Sequence, residues 1–435
     1  MGGGLLQLVA YGAQDAYITG NPQITFWKGL FKRHTNFAME PFRINFSGQV
    51  QWGTKQTALI GRHADLLYST YVEVTLPKLT AKGQDYYWNN EQNSLGYNLI
   101  KYVELDIGGQ IIDRMYSEFM YLWGNLTRGT TDTYKLQNLL SGPCANVEAC
   151  HLQYGTDCGQ DGRQQKPNVL YIPLPFFFTR NPGAALPLIA LQYHEVKINV
   201  LWNDPQFIAG NFTKDAIEDQ PPIQDLPQAI QAALYIDYIY LDTEERRRMA
   251  QASHEYLIEQ TQFNEDKGIV GANNRIDLTF NHPVKELIWV VQPAWYTDCR
   301  FAAGTEGITR LTPFTYSTDP VFDQLIQING QDRMDRRYGD YFSKVQAYQH
   351  HSGTAGSGVY MYSFALRPEE HQPSGTCNFS RIDTATIVMN MASLGDGTPH
   401  DHGLADKQNW NVRVYAINYN VLRVMSGMGG LAYSN

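Results

Sequence analysis

The chain repeats itself at an interval close to half of its 435 residues. One segment reads Ile107-Gly108-Gly109-Gln110, then Asp113-Arg114, then Phe119. A later one reads Ile328-Asn329-Gly330-Gln331, then Asp335-Arg336, then Phe342, with Gly109 and Gly330 separated by 221 residues. Lys197-Ile198-Asn199 and Ala416-Ile417-Asn418 give a second match at an offset of 219. Solenoid repeats run at roughly 20–50 residues, so a period this long indicates two similar domains in tandem. The length agrees, since a domain takes roughly 100–200 residues.

Each copy reads mostly as strands. Phe42 to Phe46, His194 to Trp202, Ile276 to Phe280 and Val412 to Val414 alternate apolar and polar residues. That period of two is the mark of a half-buried antiparallel strand. Tyr235 to Leu241 is rich in residues that suit a pleated surface. Short strands separated by Gly, Pro and Asn turns point to sandwiches or barrels. Helices are few. Ile112, Tyr116, Phe119, Met120 and Trp123 recur at helical spacing and predict a helix over about 112–124. Thr243-Glu244-Glu245 begins a short charged helix, with Thr243 as its cap and the glutamates in the first turn. Asn21-Pro22 reads as the start of another, running through Phe31. The stretches 80–97, 141–167 and 203–232 are long polar loops, and loops of this length usually carry function or variation.

Chemical motifs are scarce. Cys144, Cys150, His151 and Cys158 crowd one loop, but without the C-x2-C pairs of structural zinc sites. His350-His351 and His400-Asp401-His402 lack the helical i, i+4 spacing of zinc proteases and read as solvated loops. There is no nucleophile elbow and no phosphate-binding loop. The glycine clusters at Gly2–Gly4, Gly353–Gly358 and Gly427–Gly430 read as flexible tails and turns. No catalytic, cofactor-binding or metal-binding residue is therefore expected. Of the glycosylation triplets at Asn45, Asn125, Asn211 and Asn378, Asn211 lies in the best surface loop.

Composition excludes further classes. Lys and Arg total 34 against 43 Asp and Glu, a net charge of −9, with no basic run of the kind that tracks a phosphate backbone. Direct nucleic-acid binding is not expected. Aromatic residues reach 13% while charged ones are only 18%, so large cores can form and disorder is not expected. No apolar run approaches the roughly 20 residues of a membrane-spanning helix. The first residues show neither the basic segment nor the long apolar run of a secretory signal, so none is expected, and Leu6 stands where a myristoylation motif takes Ser or Thr. Five cysteines do not make a disulfide scaffold.

Both ends are apolar for free tails. Leu5, Leu6, Leu8, Val9, Tyr11, Tyr17 and Ile18 precede the first domain, and Leu431 and Tyr433 close the chain. Such arms cover their own core or dock on a neighbour. These nine residues are the candidate assembly contacts.

The N-terminal arm also carries a resemblance. Gln7-Leu8-Val9-Ala10-Tyr11-Gly12-Ala13-Gln14-Asp15 and Thr19-Gly20-Asn21-Pro22-Gln23-Ile24-Thr25-Phe26 resemble the start of major capsid proteins of nucleocytoplasmic large DNA viruses. The proteins of algal chloroviruses (phycodnaviruses) and related amoebal giant viruses look nearest. Leu186-Pro187-Leu188-Ile189-Ala190-Leu191-Gln192-Tyr193-His194-Glu195, His254-Glu255-Tyr256-Leu257-Ile258-Glu259-Gln260 and Phe280-Asn281-His282-Pro283 continue it. So do Gln372-Pro373-Ser374-Gly375-Thr376-Cys377-Asn378-Phe379 and Met425-Ser426-Gly427-Met428-Gly429-Gly430-Leu431. The resemblance implies an all-β double jelly roll: two tandem eight-stranded antiparallel sandwiches with few short helices. On this chain it places an arm at 1–26, a first jelly roll at 27–242, a linker helix at 243–254 and a second jelly roll at 255–435.

It further implies a structural, non-enzymatic virion protein. The chain would form homotrimers, pseudo-hexagonal capsomers that tile an icosahedral shell. Its expected partners are neighbouring capsomers, minor capsid or cement proteins and penton proteins. The arm would lie inside, against minor proteins or an internal membrane. Assembly would take place in the host cytoplasm, at a viral factory. A carbohydrate-active sandwich is the rival reading, and it requires a concave site with aromatics beside a carboxylate pair. A single jelly-roll penton protein is disfavoured by the duplication.

Overall fold

A computed structural model describes residues 2–27, 29, 31–76, 87–88, 94–141, 169–204, 209–210, 229–270, 272–293, 319–354, 356, 358–391 and 410–434. The chain divides into two compact units, Met1–Phe37 and Ala38–Asn435.

The first unit carries two short helices, α1 (Gly3–Val9) and α2 (Ala13–Thr19). The Asp15 carboxylate accepts from the Gly12 N–H at 2.8 Å and so satisfies a free donor at the start of α2. Among the described residues from Asn21 to Phe31, the expected helix does not form. Asn21 sits at φ 52°, the left-handed region, which stops a helix instead of capping one.

Sixteen strands trace the main paths of the four large sheets in the second unit. The first eight are β1 (Phe37–Asn45), β2 (Lys55–Ile60), β3 (Leu66–Thr75), β4 (Ile100–Ile107), β5 (Gln110–Tyr116), β6 (Val169–Pro173), β7 (Val196–Trp202) and β8 (Gln231–Leu241). They form two sheets, β1-β8-β3-β6 and β2-β7-β4-β5. The second eight are β9 (His254–Ile269), β10 (Asn273–Asp277), β11 (Pro283–Pro293), β12 (Val321–Ile328), β13 (Gln331–Asp332), β14 (Val359–Ser363), β15 (Ala385–Met391) and β16 (Trp410–Met425). Their sheets are β9-β16-β11-β14 and β10-β15-β12-β13. Every strand number in the second pair of sheets is the first plus eight, so the two sandwiches share one topology.

The repeated motif is the β4–β5 and β12–β13 hairpin. Gly108 and Gly109 sit at φ 62° and 86°, and Asn329 and Gly330 at φ 50° and 77°. Two consecutive positive φ angles suit a two-residue turn that matches the strand twist, and only Gly and Asn adopt them cheaply. The second match fails. Lys197-Ile198-Asn199 lies in β7, whose counterpart is β15, whereas Ala416-Ile417-Asn418 lies in β16. Its offset is a coincidence of alternating strand sequences.

The expected helix over 112–124 is half strand. Ile112 and Tyr116 belong to β5, and the helix is α4 (Ser117–Leu126), following shorter α3 (Leu95–Asn98). The helical spacing arose where a buried strand runs directly into a buried helix. Next come α5 (Thr130–Ser141), α6 (Phe177–Arg180) and the linker helix α7 (Thr243–Gln251). Thr243 is the first residue of α7 and Asp242 its cap position. Arg246 anchors the helix to Asp65 at 2.9 Å.

Each sandwich has its own core. Val72, Val74, Val103, Leu105, Ile198 and Val200 are fully buried in the first, and Leu287, Trp289, Val291, Ile326, Ile387 and Val414 in the second. The first core extends further. Ile258, Ile288, Val290, Met361, Tyr415 and Ile417, from the second sandwich, belong to it. Sheet β9-β16-β11-β14 is thus buried on both faces: one against its own sandwich, the other against the first.

Candidate assembly surfaces

The contact between the sandwiches is apolar with charged groups set into it. Helix α4 lies on the outer face of sheet β9-β16-β11-β14, and Phe119 meets Tyr415 at 5.7 Å between ring centres. Beside them, Glu118 accepts from Arg413 at 2.7 Å (Nε) and 2.5 Å (Nη2) and from the Tyr415 hydroxyl at 2.6 Å. Arg413 also donates to Gln292. Burial opposes the Arg413 charge, but Glu118 outweighs it and raises the pKa. Burial, then Glu118, raises that of Tyr415. A charge pair in such a place is held by geometry, since losing either partner leaves the other unpaired in a poorly solvated site.

A second cluster surrounds Glu259 of β9. Arg180 of α6 pairs with it at 2.8 Å and Lys285 of β11 at 2.6 Å. Lys285 is fully buried, donates to the Pro368 carbonyl at 2.7 Å, and lies over the Trp123 ring of α4 at 5.5 Å. Burial works to raise the Glu259 pKa, yet the two cations hold it low, while burial pulls Lys285 down. Nearby, the Thr261 N–H donates to Asp113 at 3.0 Å, and burial lifts the Asp113 carboxyl to about 6.

His351 departs from its expected place in a solvated loop. Its side chain is buried, 2.5 Å from Glu286 and 3.0 Å from Glu369, with Trp123 edge-on at 6.4 Å. Burial works against the imidazolium, but Glu286 and Glu369 outweigh it and lift the pKa to about 9. Gly353, expected in a flexible turn, donates its N–H to the Leu126 carbonyl at 2.7 Å. A Cβ there would lie 1.9 Å from the Asn125 carbonyl oxygen, so the close approach requires glycine.

The C-terminal candidates are divided between the chain's own core and its surface. Strand β17 (Met428–Leu431) folds back on β16. Leu431 packs against the first sandwich's core, and its N–H donates to Gln110 at 3.3 Å. The Gly429 carbonyl lies 2.9 Å from His194 Nδ1, and a Cβ on Gly427 would meet Tyr193 at 2.5 Å. This segment ties the sandwiches together within one chain. Tyr433 remains exposed. In the first unit, Leu5, Leu6, Leu8, Val9, Tyr11, Tyr17 and Ile18 are exposed, from 57% for Leu5 to 94% for Tyr17. Asn211, Cys144, Cys150, His151, Cys158, His400 and His402 lie outside the described residues. Among the described residues no three His, Cys, Asp or Glu side chains gather as a metal site.

Sequence reasoning missed the interface residues. Arg413 was legible as the polar partner of Val412 and Val414, but alternation alone does not say whether the polar face meets water or another domain. The stronger signal is Leu287-Ile288-Trp289-Val290-Val291, an uninterrupted apolar run, which marks a strand buried on both faces.

Residues 25–242 match the family described as major capsid protein N-terminus, and residues 245–430 that described as large eukaryotic DNA virus major capsid protein. The major capsid protein of Pyramimonas orientalis virus is 44% identical over 462 aligned residues, covering all of both chains. That of Paramecium bursaria Chlorella virus 1 is 41% identical over 476, again covering all of both. The crystal structure of PBCV-1 VP54, fitted into a reconstruction of the virophage Sputnik, matches with a TM-score of 0.76 and 35% identity, over 94% of this chain and 100% of that one. The paired sandwiches are a double jelly roll, and the role is structural, not enzymatic. The chain belongs to the family of large eukaryotic DNA virus major capsid proteins, capsid components of the virion.

Proposed function

We propose that the chain forms a homotrimer, a pseudo-hexagonal capsomer tiling the icosahedral shell of a large DNA virus. The supporting observation is the pair of sandwiches with one strand order, joined by a buried interface within a single body. Three such chains present six similar lobes, so threefold symmetry can fill a nearly sixfold lattice position. In this reading the jelly rolls span 27–242 and 255–435, joined by a linker at 243–254. The arm, 1–26, reaches minor capsid or cement proteins or an internal membrane on the inner side. Penton proteins and neighbouring capsomers are the other partners. Assembly takes place in the host cytoplasm, at a viral factory, and Asn211 is the glycan acceptor if the surface carries one. Apolar side chains exposed along α1 and α2 support a docking role for the arm.

Light scattering across a concentration series tests the trimer. A stable mass near three times 49.4 kDa is expected, and a monomer at every concentration contradicts it. Deleting residues 1–20 tests the arm. The melting temperature should hold while particle yield falls, and a normal yield removes the arm from assembly.

A further inference from the structure

The outer face of sheet β9-β16-β11-β14 is capped inside the chain, whereas on the equivalent face of β1-β8-β3-β6 the described residues Tyr71, Glu73, Tyr235 and Asp237 stay partly exposed. Register identifies the equivalents. Tyr415 of β16 lies opposite Ile288 of β11 across a central strand pair of its sheet. Tyr235 of β8 lies opposite Tyr71 of β3 in the same place. Tyr415 is covered by Phe119 and Glu118 of α4. Tyr235 instead stacks on Tyr71 at 5.3 Å, and Tyr171 meets Tyr71 edge-on at 6.0 Å with 38% of its surface exposed. Burial raises the Tyr71 pKa, and Asp237 and Glu73 on the same face add to it.

The element that caps the second sandwich has a counterpart too. Helix α4 follows the β4–β5 hairpin. After β12–β13 the chain forms a π-helical turn, Tyr341–Val345, running into α8 (Gln346–His350), with Phe342 in the place of Phe119. Phe342 and Ala347 are buried, but Lys344 and Tyr348 point outward, the latter 89% exposed.

We propose that the tyrosine face of the first sandwich binds the Tyr341–His350 segment of a second copy of this chain. The contact repeats between copies what α4 does within one copy. It rests on the trimer reading and specifies which surfaces meet. Carboxylates on the face, Glu73 and Asp237, complement Lys344 on the segment. In the free chain Lys344 pairs with exposed Asp340 at 2.8 Å, a surface pair that contributes little. Aromatic rings at the centre of the face suit a desolvated interface. Head-to-tail pairing of unlike surfaces also closes into a ring, as a cyclic trimer requires.

Light scattering on the full chain tests this with Lys344→Glu, Tyr235→Glu and the combination Lys344→Glu with Asp237→Lys. Each single change should raise the concentration at which half the chains are trimeric by about tenfold or more. The combination should recover part of that loss, with melting temperatures of the Lys344 variants unchanged. If wild type is trimeric and both single variants match it, the assignment of faces is wrong while the trimer stands. If the variants stay trimeric but Tyr235→Glu abolishes binding on a glycan array, the face serves carbohydrate instead and the proposal fails. A wild type that is monomeric throughout overturns the trimer reading, and this contact with it.

Discussion

Two equivalent strands, β3 and β11, meet different surroundings on their outer faces. On β11, Ile288 and Val290 face the first sandwich and are fully buried. On β3, Tyr71 and Glu73 occupy the matching face and remain partly exposed, while Val72 and Val74 fill the core. The sequence records this difference. The β11 run Leu287 to Val291 is wholly apolar, while β3 alternates. The two sandwiches share one strand order, and the residues on their outer faces differ with their surroundings. The contrast shows how the same strand position takes an aliphatic residue where a neighbouring domain covers it and a tyrosine, which joins apolar area to a polar end, where it stays partly exposed.

Breaking the covered face should have the largest effect. Glu118→Ala leaves Arg413 and the Tyr415 hydroxyl without their buried partner, and a loss of about 3–5 kcal/mol of unfolding free energy is expected. Denaturant unfolding measures it. A loss below about 1 kcal/mol would mean that water reaches the site and that the face is less closed than described.

The pH dependence follows next. His351 carries a pKa of about 9 in the folded protein. Its unfolded value is about 6.5, so its stabilisation is complete below about pH 6.5 and is lost as pH rises through 9, amounting to ~3 kcal/mol. Melting temperature should therefore fall between pH 7 and 9.5, and His351→Gln should flatten that slope. An equal slope in both proteins would remove the Glu286–His351–Glu369 cluster from the account.

The smallest effect belongs to the open face. Tyr235→Ala removes a half-exposed ring that stacks on Tyr71, worth about 0.5–1.5 kcal/mol beyond its area. Measured by denaturant in dilute, monomeric protein, its cost should stay well below that of Ile288→Ala, where roughly 2–5 kcal/mol is usual for a buried site. Equal costs would erase the distinction between the two faces.

Much of the fold was legible because strands announce themselves by alternation and the β4–β5 and β12–β13 turns by their glycines. Reading fell short where two elements share one stretch of chain, as at Ile112 to Trp123, where strand becomes helix without a break in burial. It fell short again where a polar residue meets another domain. Glu118, Arg413, Lys285 and His351 look like ordinary surface residues until the second sandwich is placed against the first. Their partners lie 295 residues apart for Arg413 and Glu118, and 65 for His351 and Glu286, a pairing that no local pattern encodes. The exposed apolar arm was legible as a run of residues without a core of its own.

The most direct measurement of the central claim places a benzophenone photocrosslinker at Tyr348 in an equal mixture of isotopically labelled and unlabelled chains. The account predicts crosslinked peptides joining Tyr348 of one copy to residues 231–241 or 169–173 of another, seen as mixed-label pairs. Crosslinks found only within single-label chains, or to other surfaces of a neighbouring copy, would contradict it.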